Sequence, residues 1–120
     1  MKNMFTGYLF LNLFLEGLAA VVLIGDAQGI LSVAQVESSI WSMTYGFAAI
    51  AIASAIFWVW PHRENRETVG AVLGILLSFH ALIFISFALQ GDQMPPAIAH
   101  AVMAAFGILL YMQRSKWCIK

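Results

Sequence analysis

The sequence predicts an all-α integral membrane protein, a bundle of four transmembrane helices. Three observations predict it. Four apolar segments punctuate the chain, each near the ~20 residues a helix needs to cross ~30 Å of hydrocarbon. Hydrophobic residues make up 62% of the 120 positions and charged residues only 10%, more apolar surface than a soluble domain of this size can hide. All six lysines and arginines fall at the ends or in alternate connections.

The first helix is predicted over residues 5–24. Lys2 followed by an apolar run has the outline of a signal peptide, but Asn12 and Glu16 interrupt it, and a signal core is normally continuous. The segment therefore reads as a transmembrane helix. The second is predicted over 40–60, where Pro61 stops it. The third is predicted over 69–89. The fourth is predicted over 96–112, opened by Pro95 and Pro96, where a missing amide donor costs nothing. These spans leave roughly 40 residues for tails and connections, too few for a soluble catalytic domain. The expected organisation is one transmembrane domain over 1–120. Residues 25–39 form the one connection with room for structure. Ile30, Leu31, Val33, Ala34 and Val36 alternate there with Ser32, Gln35 and Glu37, so a short interfacial helix or a plain loop is expected.

Basic residues set the orientation. Lys2 precedes the first helix, Arg63 and Arg66 separate the second and third, and Arg114, Lys116 and Lys120 follow the fourth. The positive-inside rule places both termini and the 61–68 turn in the cytoplasm, with 25–39 and 90–95 outside. Tyr8, Trp58, Trp60, Tyr111 and Trp117 are expected at the inner interface and Trp41 at the outer one, where aromatic rings with a polar atom are favoured. The mixed-charge turn from His62 to Glu67 reads as a solvated loop. Cys118 is the lone cysteine, so no disulfide forms within the chain.

Polar residues at membrane depth carry the functional signal, because an ionisable group in hydrocarbon costs several kcal/mol unless paired or hydrated. Glu16 lies 11 residues beyond Phe5, about 17 Å deep at 1.5 Å per residue. His80 lies equally far beyond Val69. An intramembrane polar cluster of Asn12, Glu16, His80 and His100 is expected, with Glu16 and His80 at one depth. Its role reads either as structural or as proton-handling, the first being favoured. His100 is expected about 7 Å nearer the outer face than His80, an offset awkward for shared haem or metal ligation. No further Cys, Asp or His completes a zinc or di-iron set, so no metal is expected.

Small residues are the second signal. Gly70, Gly74 and Ser78 form a small-xxx-small ladder on the third helix, and Ala97, Ala101 and Ala105 form another on the fourth. Such ladders let helices approach closely in lipid. They are expected to pack helices, within the chain or against a second copy. No phosphate loop, paired catalytic carboxylates or Ser–His–Asp set is present. With zero net charge and no basic patch, nucleic-acid binding finds no support.

The order of features resembles small bacterial four-helix membrane proteins, the DoxX-like and related families. The matching features are Val-Leu-Ile-Gly-Asp ending the first helix, Tyr45-Gly46 in an alanine-rich helix, Ser78-Phe79-His80-Ala81, and Pro96-Ala97-Ile98-Ala99-His100-Ala101. The resemblance spans the chain and implies a bacterial inner-membrane location and an accessory role to membrane redox systems. The chain is also similar to small multidrug-resistance transporters in its four short helices and its Glu16 in the first. It departs from them in the histidine of the third helix, the long first connection and the sequence around Glu16.

The leading expectation is a non-catalytic accessory or scaffolding subunit with a lipid- or quinone-like molecule held against the bundle. Its partners would be the bilayer and other membrane subunits, or further copies of itself. The alternatives are a proton-coupled transporter working as an oligomer through Glu16, and a haem-binding electron-transfer subunit through His80 and His100.

Overall fold

The structure, a computed structural model, describes residues 1–31, 39–91 and 93–119. The described residues are helical nearly throughout: α1 (Lys2–Ala27), α2 (Ser39–Ala53), α3 (Ala55–Val59), α4 (Arg66–Gln90) and α5 (Met94–Gln113), with single 3₁₀ turns at Trp60–His62 and Arg114–Lys116. Four helical stretches are long and apolar enough to cross a membrane, Lys2–Ala27, Ile40–His62, Arg66–Gln90 and Met94–Lys116. Residues 32–38 of the 25–39 connection, and with them most of the expected interfacial helix, lie outside the described residues.

Helix ends extend past the sequence-based bounds because polar caps, not hydropathy, decide them. Asn65 N-caps α4, its side-chain oxygen accepting from the Thr68 amide at 2.9 Å, which satisfies one first-turn donor. The helix thus starts three residues before Val69. Gly91, at φ 81°, ends it in the left-handed conformation, its amide donating to the Phe87 carbonyl. α5 opens two residues before Pro96, with Pro95 and Pro96 in its first turn. α1 ends where Gly29 turns left-handed at φ 70° and Ile30 and Leu31 both donate back to the Gly25 carbonyl.

The second span is not one helix. At Ser54 the hydroxyl donates to the Ala51 carbonyl at 2.7 Å, and the Phe57 amide bonds Ser54 rather than a residue four back. A serine hydroxyl competing for the helix ladder bends or breaks a helix. The carboxamide of Asn12 donates to the Ile52 carbonyl, 3.0 Å away. It thereby serves a carbonyl in the last turn of α2, where helix acceptors run short of donors.

The chain divides into two compact units, Met1–Tyr8 with Trp58–Lys120, and Leu9–Phe57. The first is built on α4 packed against α5. α4 buries Val69, Leu73, Leu76 and His80, and α5 buries Ala97, His100, Met103, Ala104, Gly107 and Leu110. Both stripes keep the spacing of three to four that one helix face requires. The C-terminal residues clasp the turn before α4. Ile119 donates to the Glu64 carbonyl at 2.7 Å and accepts from the Arg66 amide at 3.1 Å, and Trp117 stacks on Phe5 with centroids 5.3 Å apart. Lys2 pairs with Glu64.

In the second unit, α2 buries Ser42, Gly46, Ala49 and Ala53. Gly46 approaches α1 closely. A Cβ there would stand 2.6 Å from Ile24 Cγ1 and 3.4 Å from the Ala20 carbonyl oxygen.

The residues of the expected packing ladders are for the most part not buried within the chain. Gly74 has open space around its missing Cβ, and Ser78 and Ala105 are exposed. Of the six ladder residues only Ala97 is buried. Packing between α4 and α5 uses neighbouring faces, where Leu77 of α4 lies against Gly107 of α5. Tyr8 is fully buried, and its ring stands edge-on to Phe106 and His80.

Candidate functional site

The histidine pair is assembled by the two longest elements of the first unit. His80 continues the buried α4 stripe one turn beyond Leu76, and His100 continues the α5 stripe one turn beyond Ala97. The short 91–93 connection sets the two helices side by side. Their Nδ1 atoms come within 2.9 Å, with ring centroids 5.1 Å apart and planes inclined at 43°.

The two rings lie closer than the depth offset predicts. That offset counts rise along parallel axes. The inclination of packed helices and the reach of two imidazole side chains absorb it. The hydrogen bond has a chemical consequence. One Nδ1 must donate and the other accept, so in the neutral pair the rings are different tautomers.

Aromatic side chains wall the pair. Phe79 lies 5.4 Å from His80 and 6.1 Å from His100, and Phe87 lies 5.8 Å from His100, centroid to centroid. Tyr8 presents its ring to His80 at 79° and 6.5 Å. Its hydroxyl lies against Gly107, 3.0 Å from where a Cβ would be, so glycine there makes room for the phenol. That hydroxyl is buried and has no hydrogen-bond partner among the described residues. His80 is fully buried and His100 nearly so.

Bis-histidine ligation of one haem within the chain does not fit this arrangement. Axial imidazoles stand on opposite faces of the macrocycle. Here the two ligand nitrogens touch, and no slot separates them.

Asn12 and Glu16 belong to the second unit. They share the buried stripe of α1, one turn apart, and neither is exposed to solvent. A carboxyl group held in such a segment is costly unless its charge is neutralised or met by polar partners. Tyr45 of α2 contributes a further buried hydroxyl without a hydrogen-bond partner among the described residues.

The basic end of the first unit is a separate polar region. Arg63 lies over the Trp60 ring at 4.6 Å and Arg114 over Tyr111 at 3.8 Å, both as cation–π contacts. The Lys2 ammonium, hydrogen-bonded to Glu64, holds that carboxyl below its ordinary range. Burial pushes the Cys118 thiol up, with Arg114 and Arg66 pulling weakly the other way. Less of the Cys118 thiol is therefore thiolate at neutral pH than in an ordinary cysteine.

Sequence reasoning missed the tyrosines and the α2 packing face. The signal for that face was present as Ser42-xxx-Gly46, but alanine occurs so often from 48 to 55 that no ladder stands out. The phenylalanines flanking each histidine looked like ordinary apolar filling. Compared with known protein families, curated proteins and solved structures, the chain finds no match.

Proposed function

We propose that the chain is an integral protein of the bacterial inner membrane, with both termini in the cytoplasm, acting as a non-catalytic accessory or scaffolding subunit. One observation carries this reading. Each candidate span buries only 17% to 33% of its apolar window within the chain, so most of each helix must be covered by something apolar. Lipid covers part of it. The outward small residues Gly74, Ser78 and Ala105 would let a partner helix approach α4 and α5 closely. A lipid- or quinone-like molecule could lie along the same faces. The alternating placement of the six basic residues supports the orientation.

Gentle solubilisation followed by affinity capture tests the reading. The expected result is co-purification of larger membrane subunits, reduced by Gly74→Leu while the captured chain keeps its helical content. A monodisperse assembly of this chain alone contradicts it.

The burial of Glu16 and Asn12 on one stripe of α1 favours a second reading, proton-coupled transport of a small molecule, with Glu16 as the coupling acid. Intramembrane acids mark proton relays in many pumps and transporters. Glu16→Gln would abolish proton-driven uptake into proteoliposomes and leave folding intact. Uptake that survives the substitution ends this reading.

A further inference from the structure

His80 and His100 hold two imidazole Nδ1 atoms 2.9 Å apart. Two nitrogens bound to one cation at about 2.0–2.1 Å lie about 2.9 Å apart at a right angle and about 3.3 Å apart at the tetrahedral angle. The observed spacing is that of two adjacent ligands of a single ion. We propose that His80 and His100 chelate a divalent late first-row transition cation, with Cu²⁺ the preferred ion.

The donor set selects the class. Imidazole suits copper, zinc and nickel, and the Irving–Williams order puts Cu²⁺ first. The site is also built. Each ligand stands mid-helix on a buried stripe, α4 and α5 are tied by the short 91–93 connection, and Phe79 and Phe87 pack against the rings. Ligands on rigid elements keep their separation better than ligands on loops.

Proton bookkeeping closes. Without metal, the shared proton satisfies both Nδ1 atoms. With metal, both Nδ1 lone pairs go to the ion and each neutral ring carries its proton on Nε2. The pair loses no proton. The ring that donated changes tautomer.

The experiment titrates Cu²⁺ into chelator-stripped protein in nanodiscs. The expected result is one ion per chain, with an electron paramagnetic resonance spectrum split by two imidazole nitrogens. His80→Gln and His100→Gln should each weaken binding by more than the ~10- to 100-fold that loss of an outer-shell partner costs, and His62→Gln, in the exposed turn, should leave it unchanged. Substoichiometric binding, or full binding retained in the His80→Gln/His100→Gln double variant, overturns the proposal. Displacement of Cu²⁺ by equimolar Zn²⁺ overturns the choice of ion. Should the variants misfold, the wild-type spectrum decides: two imidazole nitrogens support the chelate, and one or none refutes it.

Discussion

Gly46→Ala and Gly74→Ala are chemically the same change in two helix interiors, and the structure gives them opposite signs. Replacing glycine by alanine in a helix gains about 0.5–1 kcal/mol through lower backbone entropy in the unfolded chain. At Gly74 the new methyl meets nothing within 4 Å, so the gain stands and the variant is more stable by about that amount. At Gly46 the methyl would stand 2.6 Å from Ile24 Cγ1. That carbon belongs to a β-branched side chain with little χ1 freedom in a helix. Movement toward α1 is blocked by the Ala20 carbonyl oxygen at 3.4 Å. Overpacking of this kind costs about 1–3 kcal/mol. Subtracting the propensity gain of about 0.5–1 from that cost leaves Gly46→Ala destabilised by roughly 1 kcal/mol, within a range of about 0–2.5 kcal/mol. Reversible unfolding in mixed micelles, followed by circular dichroism, reads both values. Trimming Ile24 to alanine should relieve the clash, so the Gly46→Ala/Ile24→Ala double variant should lose less than the sum of its singles. Equal effects of the two glycine substitutions, or strict additivity in the double variant, would refute the α1–α2 packing.

Three further predictions concern the polar groups. A double-mutant cycle on His80→Ala and His100→Ala should give a coupling energy of about 0.5–2 kcal/mol, the range for hydrogen bonds between helices in apolar surroundings; zero coupling in the same unfolding assay would mean the rings do not bond. Asn12→Leu removes the donor to the Ile52 carbonyl at the end of α2 and should cost about 1 kcal/mol, with faster amide exchange at residues 53–57 as the local readout. Cys118 should react with maleimide more slowly than a cysteine in the unfolded chain at neutral pH, because burial raises its pKa and less thiolate is present; its rate should rise with pH across and beyond ~8.5, the ordinary thiol value.

Much of the fold was legible because hydropathy and charge placement are global signals. The four spans need only length and apolar content, so they survive errors in any single residue. The helix ends were less legible. Asn65 and Gly91 set them through local hydrogen bonds that do not alter hydropathy. The break at Ser54 was hidden for the same reason, since one hydroxyl decides it. Among candidate site residues, the burial of Asn12, Glu16, His80 and His100 follows from the cost of leaving such groups in an apolar segment. The contact between His80 and His100 was not legible, because residue counting along an axis carries no information on helix inclination. The ladder residues were ambiguous for a related reason. Gly70, Gly74 and Ser78 share a face, but the spacing does not say whether that face turns inward. Close neighbours stand at Gly70, Gly46 and Gly107 and not at Gly74, a difference the sequence does not mark.

Cysteine-accessibility mapping tests the four-span account most directly. In a Cys118→Ser background, single cysteines replace Asn3, Gly29, His62, Gln93 and Ser115, each exposed on the chain. A membrane-impermeant maleimide added to right-side-out vesicles should label positions 29 and 93 alone, and inverted vesicles should give the complementary set of 3, 62 and 115. Labelling of 3 and 115 from opposite sides, or of 62 together with 29 and 93, would contradict it.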